Sequence, residues 1–286
     1  MNKNITTALQ KEPNGTIRLT ITIPVEEVKK TWEEVTEETV KNAEVQGFRK
    51  GKAPRKLVEG KLDKEKIKEE ALRKLLPIAY TEAIKTQEIK PIINPKIHVE
   101  KLEDPSANKD WQFTALTCEA PNIELGKYKE NIQKITAKSK IIVPGNPPAG
   151  GPAPAKFEDV VKALLDSITA RIPEILINNE TDRLLSQTLE DVKKLGLTLD
   201  QYLSSTDKNP EVLRTEYSKK AESDIKLEFA LLKIAEEEKI SVEEKEIEEA
   251  IKASKSDEER KSLEGNRYLL ASILRQQKTL DFLKNL

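Results

Sequence analysis

The most concentrated chemistry in this 286-residue chain is a cluster of cations. Arg49, Lys50, Lys52, Arg55 and Lys56 place five positive charges within eight residues, with no acid among them. Gly47, Gly51 and Pro54 punctuate the same stretch, Ala53 precedes the proline, and Phe48 stands at its base. Two glycines and a proline keep the backbone out of regular structure, which predicts a tightly turned or mobile surface loop. A loop of this kind presents a positive tip with one apolar contact beside it. That suits docking on a macromolecule, and the plain alternative is a solvated basic turn.

Other reactive side chains are sparse. One cysteine, Cys118, excludes an internal disulfide framework and a Cys-rich zinc site. One histidine, His98, leaves a Cys-His pair as the sole route to thiol catalysis, and no orienting Asn/Asp motif accompanies it. Cys118 alternates with Leu116 and reads as a small buried core residue, whereas His98 reads as a surface or edge position on a strand. Glu236-Glu237-Glu238 and Glu243-Glu244 could suggest metal ligation, but on capped amphipathic helices they read as solvated faces or dipole complements. No glycine-rich phosphate loop is present, so neither cofactor nor catalytic residue is expected.

Charge and composition frame these sites. Charged residues make up 35% of the chain and aromatics only 4%, so the core must be mostly aliphatic. Forty-nine basic against 50 acidic residues leave a net charge of −1, which argues against a polyelectrolyte that coats nucleic acid along its whole surface. Residues 1–120 carry +2, residues 121–155 carry +3 and residues 156–286 carry −6. The first eleven residues lack a continuous apolar run, and nothing approaches the ~18 apolar residues of a membrane span. A soluble, reducing, cytoplasmic setting without a membrane partner is expected.

The elements that must position the basic loop can be read from periodicity. Ile17, Leu19, Ile21 and Ile23 alternate as in a half-buried strand, and Pro13-Asn14-Gly15 signals a hairpin from a partner strand near 4–11. Val28, Trp32, Val35 and Thr39 then trace an amphipathic helix. A second helix, about 64–87, carries Ile67, Ala71, Leu75, Ile78 and Ala83, with Pro77 expected to kink or interrupt it. Strands near 96–102 and 111–118 follow, so the front part reads as α+β, helices on an antiparallel sheet. Eight of the 11 residues from Pro144 to Pro154 are proline or glycine, which marks a linker. Before it, 134–141 alternates like a strand. After it, the pattern is helical to the end. Phe157, Val160, Leu164 and Ile168 form one stripe, Gly196 closes a helix, and Asn209-Pro210 opens a long one. Ser241-Val242-Glu243-Glu244 and Ser256-Asp257-Glu258-Glu259 read as capping boxes. The domains are therefore expected at 1–120 (α+β), 121–155 (connecting segment with linker 144–154) and 156–286 (all-α).

Gly-Phe-Arg-x-Gly-x-x-Pro after an amphipathic helix resembles the ribosome-docking signature of the trigger factors, bacterial chaperones that meet nascent chains. Pro121 to Tyr128 is similar to the segment leaving that family's ribosome-binding domain. Arg171 to Leu185, Leu231 to Glu243 and Lys278 to Leu283 resemble its C-terminal helical domain. The resemblance implies that Gly47, Phe48, Arg49, Lys50, Gly51, Lys52, Ala53 and Pro54 bind the ribosome at the polypeptide exit, through protein or ribosomal RNA. It also implies unfolded or nascent polypeptide as a second partner, and it is compatible with a monomer or a homodimer. The family's prolyl-isomerase domain would need ~100 residues, and about 28 separate Tyr128 from Phe157, so isomerase activity is not expected. The expected function is ATP-independent shielding of unfolded chains at the ribosome; the alternative is a ribosome- or RNA-binding factor without client activity.

Overall fold

In the computed structural model, which describes residues 5–43, 48, 54, 55, 58, 60, 62–139, 156–254 and 256–286, the strand alternation is realised directly. The chain divides into one unit of Met1–Ala120 with Pro173–Ile175 and a second of Pro121–Ile172 with Leu176–Leu286.

In the first unit, β1 (Thr6–Lys11), β2 (Ile17–Ile23), β3 (Lys96–Lys101) and β4 (Trp111–Thr117) form a sheet of order β1-β2-β4-β3 with every neighbouring pair antiparallel. The turn at Pro13-Asn14-Gly15 sets the register, placing Leu9 opposite Leu19; further in, Ile21 lies opposite Phe113 and Ile23 opposite Trp111. Two helices cover one face: α1 (Val25–Asn42) and α2 (Lys64–Thr86). Val28 and Val35 of α1 and Ile67, Ala71, Leu75, Ala79 and Ala83 of α2 pack with Ile17, Leu19, Ile21 and Phe113. Each large side chain buried this way contributes roughly 1.5–3 kcal/mol, and the aliphatic composition makes many of them. Trp111 is buried with its indole N–H donating to the Glu103 carbonyl at 2.7 Å, so its one polar atom is satisfied.

Of the two outcomes expected at Pro77, interruption does not occur: the helix is continuous from Lys64 to Thr86, because residues 77 and 78 lie on its exposed face, where water can serve the Arg73 carbonyl left without a donor. For the same reason Ile78 is 53% exposed, and Ala79 takes the buried position.

The second unit is built from β5 (Ile123–Glu124), α3 (Tyr128–Ser139), α4 (Phe157–Ser167), β6 (Thr169–Ala170), α5 (Glu174–Lys194), α6 (Leu199–Ser205), α7 (Pro210–Glu237), α8 (Glu244–Lys252), α9 (Asp257–Gly265) and α10 (Arg267–Lys284). Its main core gathers Tyr128 and Ile132 of α3, Val160 and Leu164 of α4, Ile225, Leu231 and Ile234 of α7, and Leu283 of α10. A smaller cluster joins Ile247 and Ile251 of α8 to Leu270 of α10. Asn209 caps α7 by accepting from the Val212 N–H at 2.8 Å, and Ser256 caps α9 by accepting from the Glu259 N–H at 3.1 Å. Helix α5 ends as expected, with Gly196 at φ +75°.

The strand expected over 134–141 is instead the C-terminal half of α3, up to the last described residue, 139. Tyr128, Ile132 and Thr136 are buried at four-residue spacing, so the face that decides the structure begins upstream of the alternating window. Helix α8 starts later than its first capping signal. Its N-cap is Glu243, paired reciprocally with Glu246, and not Ser241. Helix α6 and the β5–β6 pair were not foreseen; α6 is short and opens on a Thr198/Gln201 capping box, the one sequence signal that could have found it.

Candidate functional site

The basic loop leaves the C-terminus of α1 and returns before α2. Helix α1 closes with the Ala43 N–H donating to the Val40 carbonyl. On the return leg, Val58 is buried and its N–H donates to the Pro54 carbonyl at 3.3 Å. Asp63 then starts α2 by accepting from the Glu65 N–H at 3.1 Å. Two charge pairs tie the legs: Arg55 with Glu33 of α1, and Lys74 of α2 with Glu38 of α1 at 2.7 Å.

Of the eight expected site residues, Phe48 and Pro54 are described, and both are exposed. Gly47, Arg49, Lys50, Gly51, Lys52 and Ala53 lie outside the described residues, as does Lys56. Phe48 is 45% exposed, which leaves a large part of an aromatic ring in water at a real free-energy cost. Arg55, one of the five cations, is engaged by Glu33 and is not a bare charge.

The remaining candidate chemistry does not assemble. Cys118 is fully buried, and burial pushes its thiol up to about 11. His98 sits exposed on β3 opposite Thr114, and among the described residues no hydrogen bond joins it to Cys118. At pH 8 such a thiol is ionised in only about one molecule in a thousand, and it is shielded besides. A disulfide dye should therefore label the native chain far more slowly than the denatured one, and rapid native labelling would show that β4 opens locally. Members of the acidic runs make structural pairs. Glu238 accepts from the Tyr128 hydroxyl at 3.1 Å and pairs with Lys129 at 2.7 Å; the Lys129 ammonium first, then Tyr128, holds its carboxyl below the usual range. Glu244 pairs with Arg267, and Glu246 with Lys278. Among the described residues no group of three or more His, Cys, Asp or Glu could hold a metal ion, and no helix is long and apolar enough to cross a membrane.

Two family models match, both from bacterial trigger factor protein: the N-terminal one over residues 5–142 and the C-terminal one over residues 153–285. The chain belongs to the trigger factor family. Ten residues, 143–152, separate the two matched stretches, where an intervening domain would need ~100. Trigger factor from Staphylococcus epidermidis is 39% identical over 120 residues, 42% of this chain and 27% of that protein. Trigger factor from Staphylococcus aureus is 37% identical over 125 residues, 44% of this chain and 28% of that protein. The matched stretches thus span little more than a quarter of these curated relatives. A solved structure of a trigger factor chaperone, described for promiscuous substrate recognition in folding and assembly, superposes with a TM-score of 0.65. It is 14% identical and covers 97% of this chain and 99% of its own, a likeness of fold. These trigger factor matches cover both the α+β sheet unit and the helical unit described above.

Proposed function

We propose that this chain is a cytoplasmic, ribosome-associated holdase that works without ATP. Residues 1–120 would be the ribosome-binding domain, with Gly47 to Pro54 as its docking loop. Residues 156–286 would shield unfolded polypeptide, and 144–154 would bridge α3 to α4 in place of an isomerase domain. The observation that carries the reading is Phe48: a ring left 45% exposed inside the docking signature, on a loop whose legs are held by buried Val58 and two charge pairs. Exposed apolar side chains in the second unit, Leu195, Leu197 and Leu199 around the α5–α6 junction and Tyr268, Leu269 and Ile273 on α10, supply surface for unfolded clients. A holdase acts by mass action, occupying apolar segments that would otherwise meet each other. The promiscuous recognition ascribed to the structural relative fits that use.

The test is joint measurement of ribosome co-sedimentation and of aggregation suppression on a denatured protein. Both activities are expected; loss of either removes the corresponding half of the proposal. Salt separates this reading from a phosphate clamp. With Arg55 engaged by Glu33, at most four loop cations are free for phosphates, so a pure clamp would give a slope of log K against log[salt] of about −3 to −4. Docking on a mainly protein surface through Phe48 and one or two rim charges predicts a slope nearer −1. A slope at the steep limit would favour ribosomal RNA as the partner.

A further inference from the structure

The two edges of the four-stranded sheet are built differently. The β3 edge is broken by a register shift between Val99 and Lys101 and carries Lys96, His98, Glu100 and Lys101. A bulge and a run of charged side chains are standard protection against pairing with another chain. The β1 edge has neither. Its six residues pair regularly with β2, contain no proline and hold one charge, Lys11, which is drawn to Glu119 at 3.5 Å.

The hairpin shows which backbone groups that edge offers. The Glu12 N–H donates to the Thr16 carbonyl at 2.8 Å, so Glu12 faces Thr16 as a hydrogen-bonded pair. Pair types alternate along an antiparallel ladder, so Gln10, Ala8 and Thr6 also direct their backbone groups to β2. Thr7, Leu9 and Lys11 therefore direct theirs outward. Their side chains share the face of Ile21, Leu19 and Ile17, which the helices bury. Leu9, on that apolar face, is still 37% exposed at the edge, whereas its neighbour Leu19 is fully buried.

We propose that the open edge of β1 accepts an extended stretch of unfolded polypeptide as a fifth strand. The inference rests on the chaperone reading and gives it a specific contact: main-chain hydrogen bonds to Thr7, Leu9 and Lys11, with an apolar or β-branched residue covering Leu9. Main-chain pairing is indifferent to sequence, which matches a partner defined only by being unfolded. A second copy of this chain is the weaker occupant. Six residues span about 20 Å, and pairing along them buries on the order of a few hundred Å2, well below the ~1,200–2,000 Å2 of a stable interface. The contact is suited to transient capture.

Hydrogen exchange on the full chain, resolved by residue, tests this with a short peptide alternating threonine and valine between terminal lysines. Saturating peptide should slow exchange about tenfold or more at Thr7, Leu9 and Lys11 and leave Ala8 and Gln10 unchanged, since those already bond to β2. Leu9→Pro removes one outward donor without touching the ladder, and should weaken the peptide about two- to tenfold. Thr7→Lys sets a charge on the apolar side of the edge and should do the same, which carries the test if the proline disturbs the sheet. Peptide binding without protection at these amides, or wild-type affinity in both variants, overturns the edge site while leaving the chaperone reading standing. So does aggregation suppression by a chain that binds no peptide. Protection that rises with protein concentration alone would assign the edge to a second copy and overturn the proposed occupant. Absence of aggregation suppression in the wild type would instead overturn the chaperone reading itself.

Discussion

Changing Phe48, Arg49 and Lys50 together to alanine is expected to abolish ribosome co-sedimentation and to leave the thermal melt of the first unit almost unmoved. The two halves of that expectation have separate causes. Phe48 is 45% exposed and contributes little to the core, and exposed loop substitutions usually change stability by less than about 0.5 kcal/mol. The groups that hold the loop's legs are untouched: Val58 stays buried, Arg55 keeps Glu33, and Lys74 keeps Glu38. Binding, by contrast, loses its one aromatic anchor and two of its cations together. Aromatic and arginine anchors commonly cost 2 kcal/mol or more when truncated, and a combined loss of about 4 kcal/mol is roughly a thousandfold in affinity. Single substitutions apportion the effect: Phe48→Ala should weaken binding at every salt concentration, while Lys50→Ala should weaken it most at low salt. Undiminished co-sedimentation by the triple variant would remove the docking assignment. A collapsed melt would instead show that the loop belongs to the core.

How much was legible beforehand follows from where each pattern got its information. The β1–β2 hairpin was readable because turn and alternation agree: Pro13-Asn14-Gly15 demands a reversal, and Ile17 to Ile23 keep period two directly after it. Helix α7 was readable for the same reason, with Asn209 and Pro210 fixing its start and a stripe through Ala221 and Ile225 setting its face. The misreading at 134–141 came from a window in which lysines alternate with small or branched residues by accident of spacing. The side chains that decide α3, Tyr128 and Ile132, are chosen by packing against Leu164 and Ile168 across the linker, which no local pattern contains. At Pro77 the pattern left kink and interruption open, because a helix-breaking rule ignores which face the proline occupies. The loop was legible as chemistry, from its charges and glycines. The Arg55–Glu33 pair, which subtracts one cation from it, is a tertiary fact and needed the structure.

The same tertiary origin makes Gly126 a sensitive position in the second unit. The β5–β6 pairs, Ile123 with Ala170 and Glu124 with Thr169, hold the turn after β5 beside the end of α4. Gly126 has φ +56°, and a Cβ there would lie 2.4 Å from the Ser167 carbonyl oxygen. That oxygen has little freedom to retreat. Ser167 is the last residue of α4, its hydroxyl accepts from the Asn131 amide at 2.8 Å, and it donates to the Ala163 carbonyl at 2.6 Å. Gly126→Ala should therefore add the left-handed backbone penalty, roughly 1–2 kcal/mol, to the cost of forcing α3 and α4 apart over Ile132 and Leu164. A total of about 3–4 kcal/mol should lower the melting temperature of this unit by roughly 6–15 °C. Gly196→Ala is the matched control. Its φ of +75° carries a similar backbone penalty, but nothing lies within 4 Å of the added carbon, so only about 1–2 kcal/mol should be lost. The difference between the two variants, read as the shift in denaturation midpoint, isolates the close approach of the β5–α3 turn to the end of α4. If both alanines cost the same, the turn and helix end are free to separate, and the two flanks of the linker are joined by the hydrophobic core alone.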